Sequence, residues 1–110
     1  MQTIAETAEF LRRADKRLSE SERTGLIEHL AKAPKSGALI QGTGGIRKLR
    51  WAKEGSGKSG GVRVIYYYHD KRIPLYLLTL FGKNEKANLS KSERNVLAKL
   101  VTLLIQAAGV

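Results

Sequence analysis

A chain of 110 residues has room for one domain around one modest core. It contains no cysteine, which excludes a disulfide framework, a zinc–thiolate site and a thiol nucleophile, and fits a reducing, cytoplasmic setting. Twenty Lys/Arg against ten Asp/Glu give a net charge of +10, while no apolar run reaches membrane-spanning length and MQTIAETAEF lacks the pattern of a signal peptide.

Residues 2–6 suit a short strand, and Thr7 can cap a helix over 8–17 in which Phe10, Leu11, Ala14 and Leu18 follow helical spacing. Ser19-Glu20-Ser21-Glu22 has the form of a capping box, and the helix it opens stops before Pro34, with Leu26, Ile27, Leu30 and Ala31 as its apolar stripe. Residues 34–45 read as a loop ending in the turn Gly42-Thr43-Gly44-Gly45. Three strands follow, at about 46–52, 62–69 and 73–81, with short connections that favour an antiparallel meander. A second capping box, Ser90-Lys91-Ser92-Glu93, opens a helix over 91–108 that Gly109 ends; its stripe is Val96, Leu97, Leu100, Val101 and Leu104. The fold class expected is α+β: an antiparallel sheet of about four strands, two N-terminal helices and one C-terminal helix, with the helices on one sheet face.

Between the first two meander strands lies EGSGKSGG (54–61). Its Gly-Lys-Ser imitates a P-loop, but the glycine required five residues before Gly57 is Ala52, and the tract joins two strands rather than opening a helix. It reads as a basic hairpin tip carrying Lys53 and Lys58.

The charge is unevenly placed. Residues 1–46 hold seven cations and six acids, whereas residues 47–91 hold eleven and three. A surface for a polyanion explains that concentration; nucleic acid is the leading partner, an anionic membrane the lesser one. Side chains alternate across a strand, so Lys48 and Arg50 share a face with Ile46, and Arg47 shares the other with Leu49 and Trp51. On the next strand Arg63, Ile65, Tyr67 and His69 share a face. An isolated buried guanidinium is costly, so Arg63 should open onto a groove or meet an anion; the alternative is an ion pair with a helix carboxylate. After the third strand, Gly82 permits an unusual turn and sets Lys83 and Lys86 at the sheet's end. Lys48, Arg50, Arg63 and Lys83 could then converge on one phosphate. Tyr67 could stack on a base or pack in the core. His69 sits beside Asp70 in the turn HDKR and suits a surface role better than that of a general base.

The stretches GTGGIRKLRW, KSGGVRVIYYY and KNEKANLS, within residues 42–101, resemble the RelE/ParE superfamily of bacterial toxins, nearest to its HigB branch. The similarity extends over nearly the whole chain, as a single toxin domain. It implies a ribosome-dependent mRNA endonuclease that cuts in the A site without metal or cofactor. It also implies a cognate antitoxin, a HigA-like DNA-binding protein, for which the less basic residues 1–46 could supply surface.

Carried over by position, Lys48 and Arg50 match the family's basic pair on the first meander strand, and Arg63 its arginine early on the next. In the run after the third strand, Asn84 stands where relatives have arginine, so Lys83 or Lys86 must substitute, and Ala87 stands where some have tyrosine. The resemblance thus assigns catalysis to Arg63, Lys83, Lys48 and Arg50. RNA or ribosome contacts fall to Arg47, Lys53, Lys58, Tyr67, Asn84 and Lys86. Two other readings stay open: a ParE-like gyrase inhibitor, and a nucleic-acid-binding module without turnover.

Overall fold

The structure, a computed structural model, describes residues 1–51 and 61–110. In chain order it contains β1 (Ile4–Glu6), α1 (Ala8–Arg17), α2 (Glu20–Lys32), β2 (Ala38–Leu39), β3 (Ile46–Trp51), β4 (Val62–Tyr67), β5 (Leu75–Gly82) and α3 (Lys91–Ala108). The five strands form one mixed sheet in the order β1-β5-β4-β3-β2. The meander β3–β4–β5 is antiparallel as expected, but β1 pairs in parallel with β5, and the two-residue β2 adds an edge strand beside β3.

Each helix begins as its sequence dictates. The Thr7 hydroxyl accepts the Phe10 amide and donates to Leu78 O at 2.9 Å, which ties the start of α1 to β5. Both capping boxes are closed in both directions, Ser19 with Glu22 and Ser90 with Glu93. Gly109 ends α3 at φ 73°, a left-handed conformation that glycine adopts without strain.

The expectation that all helices cover one sheet face is corrected by the packing. Phe10, Ala14, Leu26 and Leu30 of α1 and α2 pack on Val64, Tyr66, Leu77 and Leu80. The opposite face carries Ile46, Ile65, Leu78 and Phe81, and α3 covers it through Leu97, Leu100, Val101, Leu104 and Ile105. The α3 stripe is therefore rotated from the one expected: Ile105 joins it, while Val96 is 63% exposed. Leu11 likewise faces outward, 37% exposed, and leaves Phe10, Ala14 and Leu18 as the buried line of α1.

The β4–β5 register shifts between Ile65, opposite Thr79, and Tyr66, opposite Leu77, so Leu78 is the extra residue of a bulge. The short β2 is held by contacts distant in sequence. The Tyr66 hydroxyl accepts the Gly37 amide at 2.8 Å and donates to Pro34 O at 2.8 Å. Arg47 adds bonds to Gly37 O and Lys35 O.

Candidate functional site

Strand register brings three of the four proposed catalytic cations together. Arg50 lies directly opposite Arg63 across β3 and β4, and Lys48 lies opposite Ile65, two residues along the same face. Directly opposed residues hold their Cβ atoms about 4.5–5.5 Å apart, and like charges in that position repel. Among the described residues, the Arg50 and Arg63 side chains have neither an ion pair nor a hydrogen bond. Arg50 is exposed and Arg63 half-buried. The helix-carboxylate alternative for Arg63 is thus absent among the described residues, and the pair stands open to an anion.

Lys48 is oriented without being neutralised. Its Nζ donates to Asn88 Oδ1 at 2.6 Å, an uncharged acceptor in the segment before α3. Lys83 follows β5 directly, and its backbone amide extends the ladder by donating to Gly61 O at 3.2 Å, two residues from Arg63. Arg63 itself pairs with Phe81, so Lys83 enters the turn at the same end of the sheet as the arginine pair. Lys83 is exposed and has no ion pair among the described residues.

Lys86 differs in just this respect. Its ammonium lies 5.0 Å from the centroid of the Phe81 ring and pairs with Glu93. Bonds from Lys86, then from the Ser90 amide, hold the Glu93 carboxyl below the usual carboxylate range. Of the two lysines that could replace the family's arginine, Lys83 is the uncompensated one. Asn84 is exposed within the turn.

The turn is latched to α1. Glu85 accepts the Gly82 amide at 2.9 Å through Oε1, pairs with Arg17, and lies 3.6 Å from Arg13. The Gly82 bond is the main cause of a depressed Glu85 carboxyl, with Arg17, Arg13 and Lys86 adding to it. Gly82 does not adopt a positive φ, so the expected special turn conformation is not why glycine stands there. A Cβ at Gly82 would lie 2.8 Å from Arg17 Nη1: the guanidinium occupies the space a side chain would need.

Other expected contact residues lie elsewhere. Arg47 is on the face away from Arg63, bonded to carbonyls of the 34–39 loop. Tyr67 is only 3% exposed, with its hydroxyl 3.0 Å from His69 Nδ1; burial raises its pKa, and Asp70 adds to that. Its ring belongs to the core on the α3 side, which withdraws it from base stacking. His69, half-buried, also lies 3.5 Å from Asp70 Oδ2. It follows Arg63 by six residues, which at about 3.3 Å per residue separates the two by roughly 20 Å along the chain. Lys53 and Lys58, with the hairpin tip, lie outside the described residues.

Asn88, Glu85 and Arg17 escape a reading by strand alternation. Asn88 is joined to Lys48 and Glu85 to Arg17 across the chain, and although Asn88 and Glu85 both lie within the KNEKANLS stretch, their partners do not follow from it. The basic residues of α1 escape it too: Arg12, Arg13, Lys16 and Arg17 line one groove on a segment whose summed charge is nearly zero.

Comparison with solved structures finds a similar fold in a free-state double arginine-to-alanine mutant of E. coli toxin RelE. The match has a TM-score of 0.59 at 15% identity, over 90% of this chain and 95% of that one. A family model described as RelE toxin of the RelE/RelB toxin–antitoxin system matches residues 2–109. Its match spans both capping boxes, the β3–β4 arginine pair and the 82–86 turn, and the chain belongs to the RelE toxin family.

Proposed function

We propose that this RelE-family toxin is a HigB-like, ribosome-dependent mRNA endonuclease, one domain acting in the cytoplasm and silenced by a HigA-like antitoxin. The observation that carries the reading is the Arg50–Arg63 pair. Two arginines stand directly opposite each other in register on adjacent strands, and neither has a carboxylate partner among the described residues. A folded protein gains nothing from that repulsion unless an anion enters.

The chemistry fits a phosphodiester. The mRNA 2′-oxygen loses its proton to water and attacks its neighbouring phosphorus in line, the P–O5′ bond breaks as the 5′-oxygen takes up a proton, and the products are a 2′,3′-cyclic phosphate and a 5′-hydroxyl. Negative charge on the non-bridging oxygens peaks in the transition state, where preorganised cations act most strongly. Arg63 grips those oxygens bidentately, and Arg50 shares the charge from the facing strand. Lys48, aimed by Asn88, orients the phosphate and makes the 2′-hydroxyl more acidic. Lys83, at the open end of the sheet, donates toward the departing 5′-oxygen. Asn84 in the turn after β5 supplies a ribosome contact, and Lys53 and Lys58, outside the described residues, are further ribosome contacts.

The test is cleavage mapping on a defined mRNA, with and without ribosomes, followed by analysis of product ends. Breaks confined to ribosome-bound message, ending in cyclic phosphate, support the reading. Intact message together with gyrase inhibition assigns the chain to the ParE mode instead.

A further inference from the structure

We propose that Arg17 of α1 is a positioning residue for catalysis, because it keeps the Glu85 carboxylate from neutralising Lys83. This rests on the function proposed above, and it concerns a helix that contributes no cation to the phosphate site itself.

Glu85 is two residues from Lys83 and one from Lys86, in a turn closed by the Glu85 amide on Gly82 O at 3.0 Å. A carboxylate so near an exposed lysine can fold onto it and cancel the charge the site needs. Here it is turned away. One oxygen accepts the Gly82 amide and pairs with Arg17; the other lies 3.6 Å from Arg13 Nη1. Arg13 Nη1 also reaches Leu80 O at 3.4 Å, so α1 grips the end of β5 at two levels. Gly82 leaves room for this arrangement, since any side chain there would meet the Arg17 guanidinium. Three residues from separate segments therefore act together. Glycine clears the space, Arg17 fills it, and Glu85 is drawn to Arg17.

A purely structural latch and a charge-diverting latch differ in one prediction. If the latch only fastens the turn, removing both partners is as harmful as removing either. If it diverts charge, Arg17→Ala releases a carboxylate onto Lys83, and neutralising that carboxylate restores function. Glu85→Gln suits the purpose because its amide oxygen still accepts the Gly82 N–H.

The experiment compares wild type, R17A, E85Q, R17A/E85Q and G82A in single-turnover cleavage of ribosome-bound mRNA. Ribosome affinity and thermal midpoint are measured in parallel. R17A is expected to slow cleavage by on the order of ten- to a hundredfold, the scale of a misplaced catalytic group, and G82A by less, because its Cβ meets the movable end of the Arg17 side chain. E85Q should stay within about threefold of wild type, and R17A/E85Q should recover most of the R17A loss. A double variant as slow as R17A, or slower, overturns the proposal. NMR of the Lys83 ammonium provides a readout independent of turnover. Its Nζ resonance should move in R17A, as a carboxylate closes on it, and return in R17A/E85Q, and an unchanged resonance also overturns the proposal. If wild type does not cleave mRNA at all, the proposed function fails while the Lys83 resonance still reports on the latch.

Discussion

Arg50 and Arg63 define the site through a relation neither has alone. Directly opposed cations destabilise the strand pair that carries them. An anion bound between them should offset that and more. Sulfate or phosphate at millimolar concentration is therefore expected to raise the thermal midpoint of the wild type, and to raise that of Arg63→Ala much less, as scanning calorimetry can measure. An equal rise in both would place the anion elsewhere. Tyr66 is the converse case, a polar atom whose work is internal. Its hydroxyl satisfies the buried Gly37 amide and donates to Pro34 O. Burial raises its pKa, although the Gly37 bond opposes the rise. Tyr66→Phe leaves that amide without a partner, so denaturant unfolding should show a loss of about 1–3 kcal/mol. Phosphate binding should be unchanged.

At the scale of elements, the helices and the meander were legible because their signals are local. Both capping boxes and the Thr7 cap were readable from spacing, as were the Gly109 helix end and the alternation that set Lys48 and Arg50 on one face of their strand. What was not legible depends on partners far along the chain. β2 has two exposed residues and no periodicity of its own; Tyr66 and Arg47 create it from the other side of the loop. The parallel pairing of β1 with β5 and the two-sided covering of the sheet are likewise properties of assembly. Periodicity could place Val96 in a stripe but could not say which side of that stripe meets the sheet. For the site, strand alternation grouped Lys48 with Arg50 and exposed Arg63 as an oddity, but the Arg50–Arg63 pairing came from the register, and Asn88 and the Arg17–Glu85 latch from a loop and a helix.

The start of α3 carries a pH dependence of definite sign. The folded-state pKa of Glu93 is lowered, first by Lys86 and next by the Ser90 amide. Its stabilisation is therefore full above the ordinary carboxylate range and is lost as pH falls through the lower folded value. Amide exchange at Ser90 and along the first turn of α3 should accelerate in that acid window. In Glu93→Gln the same step should be much smaller, and a step of equal size would separate it from this carboxyl.

Across the whole molecule, ion pairs brace the frame: Arg12, Arg13, Arg17, Arg23, Arg72 and Lys86 pair with acids at α1, α2, the 69–72 turn and the start of α3. Lys48, Arg50, Arg63 and Lys83 are among the cations with no acid partner among the described residues, and what sets them apart is that they gather where β3, β4 and β5 reach one end of the sheet. The most direct measurement is the single-turnover rate at which ribosome-bound mRNA is cut by wild type and by Arg63→Ala, with circular dichroism and ribosome affinity as controls. The expected result is a fall of at least about a hundredfold in rate, the scale of losing one preorganised charge donor, with fold and affinity little changed. A variant that cuts as fast as wild type would contradict a catalytic role for the arginine pair.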